Sequence, residues 1–397
     1  MKETIVNNKL FQIVVDTSVL LKVVHISRRL VELTSFFIIQ HIQQAWDGDD
    51  GFHFLSLEDG GLSIICDETS VVLLRRLLTG VNFTDEDVDI SPADFALIHL
   101  RDTSSNEFQG ALHHFSKRLS EANMSIFHIS TFSCEIFLVP SHEISKATSI
   151  FKQACEKSEF QERNASLETS VQSLLKSHSF REGFELNILS DEYALAELNM
   201  NQHSGKYNTF KDIITKLVLF DARYSAIAKE FQSSIDGKKS ANGNGSNKDA
   251  SASSVTAESG LLFRHSVESV VNSDKSQGLS IEPSSLLSEP CYQFLFGVWS
   301  YSNEVTFLLN EADLDFFPQD MLIISPQKWT SVRLGGRPID YHECGIVSAM
   351  TASQIHTGSV SLNVSTSKTN CTLVPAEILE DTLQLLSVAL NCSIPKE

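Results

Sequence analysis

The sequence has little positive charge. Its 397 residues include 31 Lys and Arg against 50 Asp and Glu, which gives a formal net charge of −19, and no long basic run is present. Non-specific nucleic-acid binding and docking on anionic membranes both depend on clustered Lys and Arg. We therefore exclude nucleic acid and membrane surfaces as partners.

Long hydrophobic runs are also missing. The apolar stretch from Phe11 to Val24 is interrupted by Asp16 and Lys22, and no small-residue cleavage site follows it. It is therefore not a signal peptide. No window approaches the roughly 18 uncharged apolar residues that a membrane-spanning helix requires. We expect a cytoplasmic protein.

Cysteine pairs and catalytic motifs are absent as well. The seven cysteines include no C-x-x-C pair, which is typical of reduced thiols in a cytosol. The phosphate-binding, dinucleotide-binding, zinc-protease and nucleophile-elbow motifs do not occur. A nucleophilic Cys344 beside His342 is conceivable, but a packing role is favoured. We predict no cofactor, no metal site and no enzyme activity.

An internal repeat is what the sequence does contain. The string S-T-x6-L-V-P, here called the repeat frame, begins at Ser130 and again at Ser365 with identical spacing. A strand, a helical pattern and a second strand precede each copy, with the helical patterns at Phe108–Leu119 and Cys344–Ile355. An acidic-capped amphipathic helix follows each copy, at His142–Phe151 and Ala376–Leu386. Each copy therefore predicts the order β-α-β-β-α.

A looser repeat precedes each copy of the frame. Hairpins are predicted around Asp59-Gly60-Gly61 and Ser302-Asn303. Each follows a strand and a helix, with the helices at Ile26–Ile39 and Tyr207–Leu219. The chain thus contains two halves with two units each, in the ferredoxin-like split β-α-β layout. We predict an α+β fold of four units, here called the first to fourth segments, at 1–90, 91–158, 184–324 and 325–397. A linker at 159–183 separates the second segment from the third.

The third segment carries a polar insertion. The early part of residues 237–288 contains few branched aliphatic side chains, and the later part is only weakly apolar. Such a stretch buries too little apolar surface to offset its ordering entropy, so we predict that it is disordered. A unit of this layout leaves a sheet edge open, which makes pairing of units expected and leaves homodimerisation as an open alternative.

The segment from Trp329 to Val347 contains the string G-G-x-P-x4-E-C-G-I-V. Together with the second repeat frame, this segment resembles the cytosolic arginine sensor family (CASTOR). That family has four ACT domains and is similar to the regulatory part of aspartate kinases. The resemblance is closest in the fourth segment. It implies four tandem ACT domains and an amino-acid sensor that controls a GATOR-type complex upstream of the TOR kinase.

The resemblance also implies where the ligand and the partner bind. The amino acid would lie between the second and fourth segments. The implied ligand-binding residues are Ser125, Ile126, Asp340, Glu343, Cys344, Gly345, Thr366, Ser367 and Asn370. The implied contacts with the partner complex are Phe132, Ser133 and Glu135.

The chemistry of these positions suits the zwitterionic end of an amino acid. Free N–H groups at a helix start attract a carboxylate, and Glu343 can accept an ammonium. The family's guanidinium-pairing acid falls on Asn370, a neutral amide that cannot form a charge-assisted bidentate pair. The carboxylate appears instead at Glu135, the equivalent position of the first copy. The ligand is therefore arginine or another amino acid, and the alternative is a ligand-independent ACT-scaffold adaptor.

Overall fold

The computed structural model describes residues 1–7, 11–31, 33–44, 52–58, 61–102, 110–156, 183–199, 213–215, 296–301, 304–318 and 320–392. These residues all belong to one unit of the chain, formed by 1–220 and 293–397. The predicted insertion at 237–288 lies outside the described residues, and so does the predicted linker apart from Gly183.

Antiparallel strands form the framework of a mixed α/β fold. The strands are β1 Lys2–Asn7, β2 Phe11–Ser27, β3 His53–Glu58, β4 Gly61–Asp67, β5 Val88–Ile90, β6 Phe95–Asp102, β7 Phe127–Ser130, β8 Cys134–Pro140, β9 Glu185–Leu198, β10 Phe296–Tyr301, β11 Glu304–Asn310, β12 Leu322–Gly335, β13 Leu362–Ser365 and β14 Asn370–Val374. Both predicted hairpins are present, because β3 pairs with β4 and β10 pairs with β11.

Helices connect the strands. They are α1 Arg28–Val31, α2 Ser35–Gln44, α3 Glu68–Leu77, α4 Ala111–Glu121, α5 Ile144–Glu156, α6 Ile346–Met350, α7 Ser353–Thr357 and α8 Leu379–Leu390, with 3-10 turns at Ser141–Glu143, Glu311–Phe316 and Ala376–Ile378. A further helical stretch is described at 213–215. Within the described part of the chain, no helix is long and apolar enough to cross a membrane.

The sheet closes on itself. Its strands follow the order β1-β2-β4-β3-β10-β11-β9-β12-β14-β13-β7-β8-β6, and β6 returns to pair with β2. Closure depends on long strands that pair differently along their length. In β2, residues 11–16 pair with β6 and residues 21–27 pair with β4. Strand β12 is also long, and it continues across position 324, where the sequence analysis placed the boundary between the third and fourth segments. The predicted domain boundaries stay predictions.

The strands bury both of their faces. Because side chains alternate along a strand, Ile136 and Leu138 of β8 enter a core shared by all four segments. Phe137 and Val139 of the same strand pack against α4 and α5 instead. Full burial of such side chains stabilises the fold by about 1.5–3 kcal/mol each. The shared inner core therefore ties the segments together, while the helices cover the outside.

The internal repeat is present in the structure at a constant offset. A shift of 235 residues takes α4 onto the start of α6, the 3-10 turn at Ser141 onto the turn at Ala376, and the start of α5 onto that of α8. Gly110 and Gly345 precede the two equivalent helices with the same left-handed backbone, at φ 96° and 88°. The two copies of the frame therefore adopt the same fold.

The two copies meet through equivalent residues. Ile129 of β7 pairs with Val364 of β13. On either side of this pair, the His128 N–H donates to Ser365 Oγ and the Asn363 N–H donates to Ser130 Oγ, both at 2.9 Å. The contact has the reciprocal character of an isologous interface between two copies. We call this contact of β7 with β13, together with α4 against α6, the junction.

Two predicted elements differ from the structure. The helical pattern at Cys344–Ile355 is split into α6 and α7, because the Thr351 hydroxyl donates back to the Val347 carbonyl at 2.7 Å, an arrangement that bends helices. The helix predicted from Ile26 begins only at Arg28, since Ile26 pairs with Leu62 of β4 at the end of a strand. Cross-strand pairing overrides the local pattern here.

Candidate functional site

The junction brings the predicted ligand-binding segments of the second and fourth segments together. Ser125 Oγ donates to the Glu343 carbonyl at 3.3 Å, across 218 residues of sequence. Ile126 packs on the core cluster that also includes Val347 of α6. Close by, His113 of α4 hydrogen-bonds to the Ser348 carbonyl of α6 through Nδ1 at 2.9 Å. Ser125 and Glu343 therefore lie at one interface, and Ile126 packs in the core beside it.

The Gly335-Gly336 turn is explained by a close approach of two backbones. Gly336 has φ +85°, and a Cβ there would lie 2.5 Å from the Gly183 carbonyl oxygen. A Cβ on Gly335 would lie 2.8 Å from the side-chain nitrogen Nδ2 of Asn187. Any other residue at Gly336 would have to adopt a left-handed backbone and push β9 away. The two glycines let β12 leave the sheet beside β9.

The Glu343 carboxylate, predicted to accept a ligand ammonium, is paired within the chain. Arg337 donates from Nη1 to Oε2 at 2.9 Å and from Nη2 to Oε1 at 2.5 Å. The Arg337 guanidinium carbon also lies 3.7 Å from the centroid of the Phe184 ring. Bidentate pairing and ring stacking are the two contacts that hold a guanidinium best. Glu343 is thus occupied by an arginine side chain of the same protein.

The other residues of this turn have structural contacts. Asp340 accepts the His342 N–H at 2.9 Å on Oδ1, and its carbonyl accepts the Glu343 N–H. Burial, with Glu143 and Glu343 nearby, raises the pKa of the Cys344 thiol. A thiol with a raised pKa stays protonated at neutral pH, which does not favour a nucleophile. Gly345 precedes α6, whose five residues provide only a small helix dipole.

The β13–β14 hairpin contributes Thr366 and Ser367. The Thr366 N–H donates to the Thr369 carbonyl at 2.9 Å, and the Thr366 hydroxyl accepts the Thr369 N–H at 3.1 Å. Ser367 is buried and bonds through both its N–H and its hydroxyl to Ser63 Oγ in the first segment. These predicted ligand residues therefore form a turn that contacts β4.

Asn370 lies in a closed amide network. Its Nδ2 donates to Ser365 Oγ at 2.8 Å and to Asn363 Oδ1 at 3.2 Å. In return, Asn363 Nδ2 donates to Asn370 Oδ1 at 2.6 Å. Asn363 and Asn370 are 0% and 1% exposed. Because buried polar groups need partners, this network stabilises the strand pair without a ligand.

Two of the three residues predicted to contact a partner complex, Phe132 and Ser133, contact the third segment. The Phe132 N–H donates to Thr306 Oγ1 at 3.1 Å, and the Ser133 hydroxyl donates to the Glu304 carboxylate. Glu135 has its Oε2 atom 3.0 Å from His128 Nε2. Ser133 remains exposed and Glu135 half-buried, so both reach the surface beside an internal contact.

A cavity that sequence reasoning missed lies in the first segment. Its volume is about 350 Å³, and it is bounded by the middle of β2, the end of α2 and the start of α3. Its lining includes Lys2, Leu21, Gln44, Phe52, Cys66 and Asp67. These residues come from separated strands and helices, so no local motif marks them. Among the described residues, no cluster of His, Cys, Asp and Glu could hold a metal ion.

Comparisons with known proteins find likenesses to aspartate kinases. No protein-family model and no curated protein matches the chain. An aspartate kinase from Synechocystis is similar at 12% identity and a TM-score of 0.28, covering 95% of this chain and 56% of that one. The Clostridium acetobutylicum aspartate kinase is similar at 16% identity and a TM-score of 0.28, covering 36% and 34%.

The chain thus spans 56% and 34% of the lengths of these two kinases. Aspartate kinases are the proteins whose regulatory part the sequence resemblance also named. Similarity at this TM-score carries no argument about function, so the case for a function is made from the geometry of the junction.

Proposed function

We propose that the protein is a non-enzymatic, cytoplasmic regulatory protein of four ACT-like units that binds an amino acid between its second and fourth units. The observation that carries this proposal is the Ser125–Glu343 contact at the junction, since it joins the two separate segments to which the family resemblance assigned the ligand. Ligand sites commonly lie at such interfaces between units.

Strand order supports the count of four units. The described sheet contains the orders β5-β2-β4-β3, β2-β6-β8-β7, β12-β9-β11-β10 and β9-β12-β14-β13. Each places the first strand of a unit between its fourth and third strands, as a ferredoxin-like unit does. Strand β2 serves the first two units, and β9 and β12 serve the last two. This exchange couples the units mechanically.

In the proposed site, Glu343 receives the cationic part of the amino acid. Arginine or another amino acid is the ligand, and the net charge of −19 favours the approach of a cationic one. Binding would stabilise one arrangement of the second and fourth units over another. A differential affinity worth about 1–3 kcal/mol is the usual size of such coupling. A GATOR-type complex upstream of the TOR kinase would read that arrangement.

A ligand-independent scaffold is the second candidate. It is favoured by the internal bonds of Glu343 with Arg337 and of Asn370 with Asn363, which satisfy the main polar groups of the predicted pocket. A scaffold of this kind would hold its partner complex in the same way whether or not amino acids are present.

A thermal-shift screen of the twenty amino acids on the full chain separates the two candidates. A ligand that binds only the folded state raises the melting temperature by mass action. We expect at least one amino acid to do so, and Glu343→Gln to reduce the shift. Glu380→Gln, on the exposed face of α8, is the matched control and should leave the shift unchanged. No shift with any amino acid would support the scaffold.

A further inference from the structure

Arg337 has around it the parts of a guanidinium-binding site. The Glu343 carboxylate accepts its two terminal nitrogens side by side, the Pro338 carbonyl accepts Nη1 at 3.1 Å, and the Phe184 ring lies against its flat face. Phe184 is 5% exposed and the Glu343 side chain 9%. A partly dehydrated carboxylate beside an aromatic ring binds a planar cation more strongly than an exposed carboxylate does.

We propose that Arg337 is a built-in occupant of this site, and that a free guanidinium compound competes with it for Glu343 and Phe184. The proposal rests on the proposed function for its regulatory meaning, since it makes Arg337 the group that an incoming cationic amino acid must displace. The site itself consists of Glu343, Phe184 and the Pro338 carbonyl, whether or not a natural ligand uses it.

The position of Arg337 makes displacement feasible. It follows the Gly335-Gly336 turn, outside the sheet, and its side chain is 21% exposed, so it can swing into solvent without opening a core. The exchange is nearly balanced, because a free guanidinium restores the hydrogen bonds that Arg337 gives up. The displaced Arg337 side chain has a flexible stem, so water can hydrate its guanidinium group after it leaves the site.

Occupancy of the site by Arg337 lowers its affinity for free guanidinium compounds. A tethered group acts at an effective concentration that is in the millimolar range for short flexible connections. A free competitor must exceed that concentration, or gain contacts that Arg337 does not make, before it occupies the site. The affinity of the unmodified chain for guanidinium compounds is therefore expected to be weak, and removal of Arg337 is expected to raise it.

The test is a calorimetric titration of methylguanidinium into the full-length wild type, Arg337→Ala and Arg337→Ala/Glu343→Gln. We expect Arg337→Ala to bind at least about ten-fold more tightly than the wild type, and the double variant to lose that gain. Methylammonium, a cation without the planar fork, should show less than half of the gain. Arg28→Ala, at the start of α1, is the control and should bind as the wild type does.

The results decide the proposal in every case. Tighter binding by Arg337→Ala that depends on Glu343 supports it, even if no amino acid binds the wild type and the proposed function falls. Equal binding by Arg337→Ala and the wild type overturns it, even if an amino acid is found to bind elsewhere. Should Arg337→Ala fail to fold by circular dichroism, Arg337→Gln replaces it, and the same two outcomes apply.

Discussion

In the first copy of the repeat frame, the residue five positions after the opening serine is Glu135, whose carboxylate lies 3.0 Å from His128. In the second copy the same position is Asn370, which exchanges two hydrogen bonds with Asn363. His128 and Asn363 are themselves equivalent, two residues before each serine. The same pair of positions thus holds titratable groups in one copy and neutral amides in the other.

The backbone around this pair is the same in both copies. Thr131 and Thr366 close equivalent turns, each with an N–H donated to the carbonyl three residues later and a hydroxyl that accepts the N–H of that residue. The residue after each threonine donates its N–H to a hydroxyl on a neighbouring strand. Phe132 donates to Thr306 in the first copy, and Ser367 donates to Ser63 in the second.

His128 and Asn363 are both 0% exposed, so the copies differ in exposure at the other position of the pair. Glu135 is 25% exposed at its side chain, so its charge keeps part of its hydration, whereas Asn370 is 1% exposed. Full burial of a charged carboxylate costs desolvation energy. A neutral amide pair avoids that cost where the strands are covered. The backbone sets the position of the pair, and its exposure determines which side chains are tolerated.

The largest predicted effect compares Asn370→Ala with Glu135→Ala. Removal of Asn370 leaves the buried Asn363 amide with unmet bonds, so we expect the free energy of unfolding to fall by about 2–3 kcal/mol. Glu135→Ala should cost less, about 1 kcal/mol, since the Glu135 side chain is 25% exposed and keeps part of its hydration. Urea denaturation of the full chain measures both. Equal losses would contradict the account of exposure.

The two serines at the junction should both stabilise the fold. Ser130→Ala and Ser365→Ala each remove the acceptor of a buried backbone N–H, that of Asn363 or of His128. We expect each variant to lose about 1–2 kcal/mol by the same denaturation measurement. The Ser365→Ala loss should be the larger, by about 0.5–1 kcal/mol, because Ser365 Oγ also accepts a hydrogen bond from Asn370 Nδ2. No loss in one of the two variants would show that the junction is not reciprocal.

A smaller effect concerns pH, because His113 faces Ser348, its equivalent in the other copy. Burial, with a smaller effect from Lys117, lowers the pKa of His113 to about 4. The unfolded chain therefore binds the proton first as the pH falls below 6.5, and stability is lost with it. Between pH 7 and 5.5 this one histidine should cost about 1 kcal/mol.

His113→Asn, which keeps a donor for the Ser348 carbonyl, isolates that contribution. The wild type should lose more stability than the variant between pH 7 and 5.5, by about 1 kcal/mol. Other buried histidines, such as His25 with its pKa lowered to about 4, act in both proteins and cancel in the comparison. Urea denaturation at both pH values measures this loss. An equal loss of unfolding free energy in the wild type and the variant would show that His113 is not titrating as described.

The sequence allowed the repeat to be predicted because it depends on local spacing. Both copies of the frame, the hairpins and the helices after Pro140 and Pro375 follow from alternation and turn residues. The full extent of β2 could not be predicted, since its two halves pair with strands of different segments. Those pairings depend on long-range contacts that no local pattern encodes.

The candidate site was only partly predictable for a related reason. The approach of 125–126 to 343–345 was predicted from the resemblance, which places the ligand between the second and fourth segments. The pairing of Glu343 with Arg337 depends on how the turn after Gly336 folds back on Phe184. The partner of Asn370 depends on cross-strand geometry. Residue types alone identify these polar groups, but they do not say which groups will be partners.

Hydrogen–deuterium exchange of the full chain, with and without each amino acid, tests the central claim most directly. If an amino acid binds at the junction, exchange should slow together in peptides covering 125–130, 343–350 and 362–370, because ligand binding stabilises the bound structure. Peptides covering 53–58 and 61–67 in the first segment should keep their rates. Slowing confined to the first segment, or no change with any amino acid, would contradict the claim.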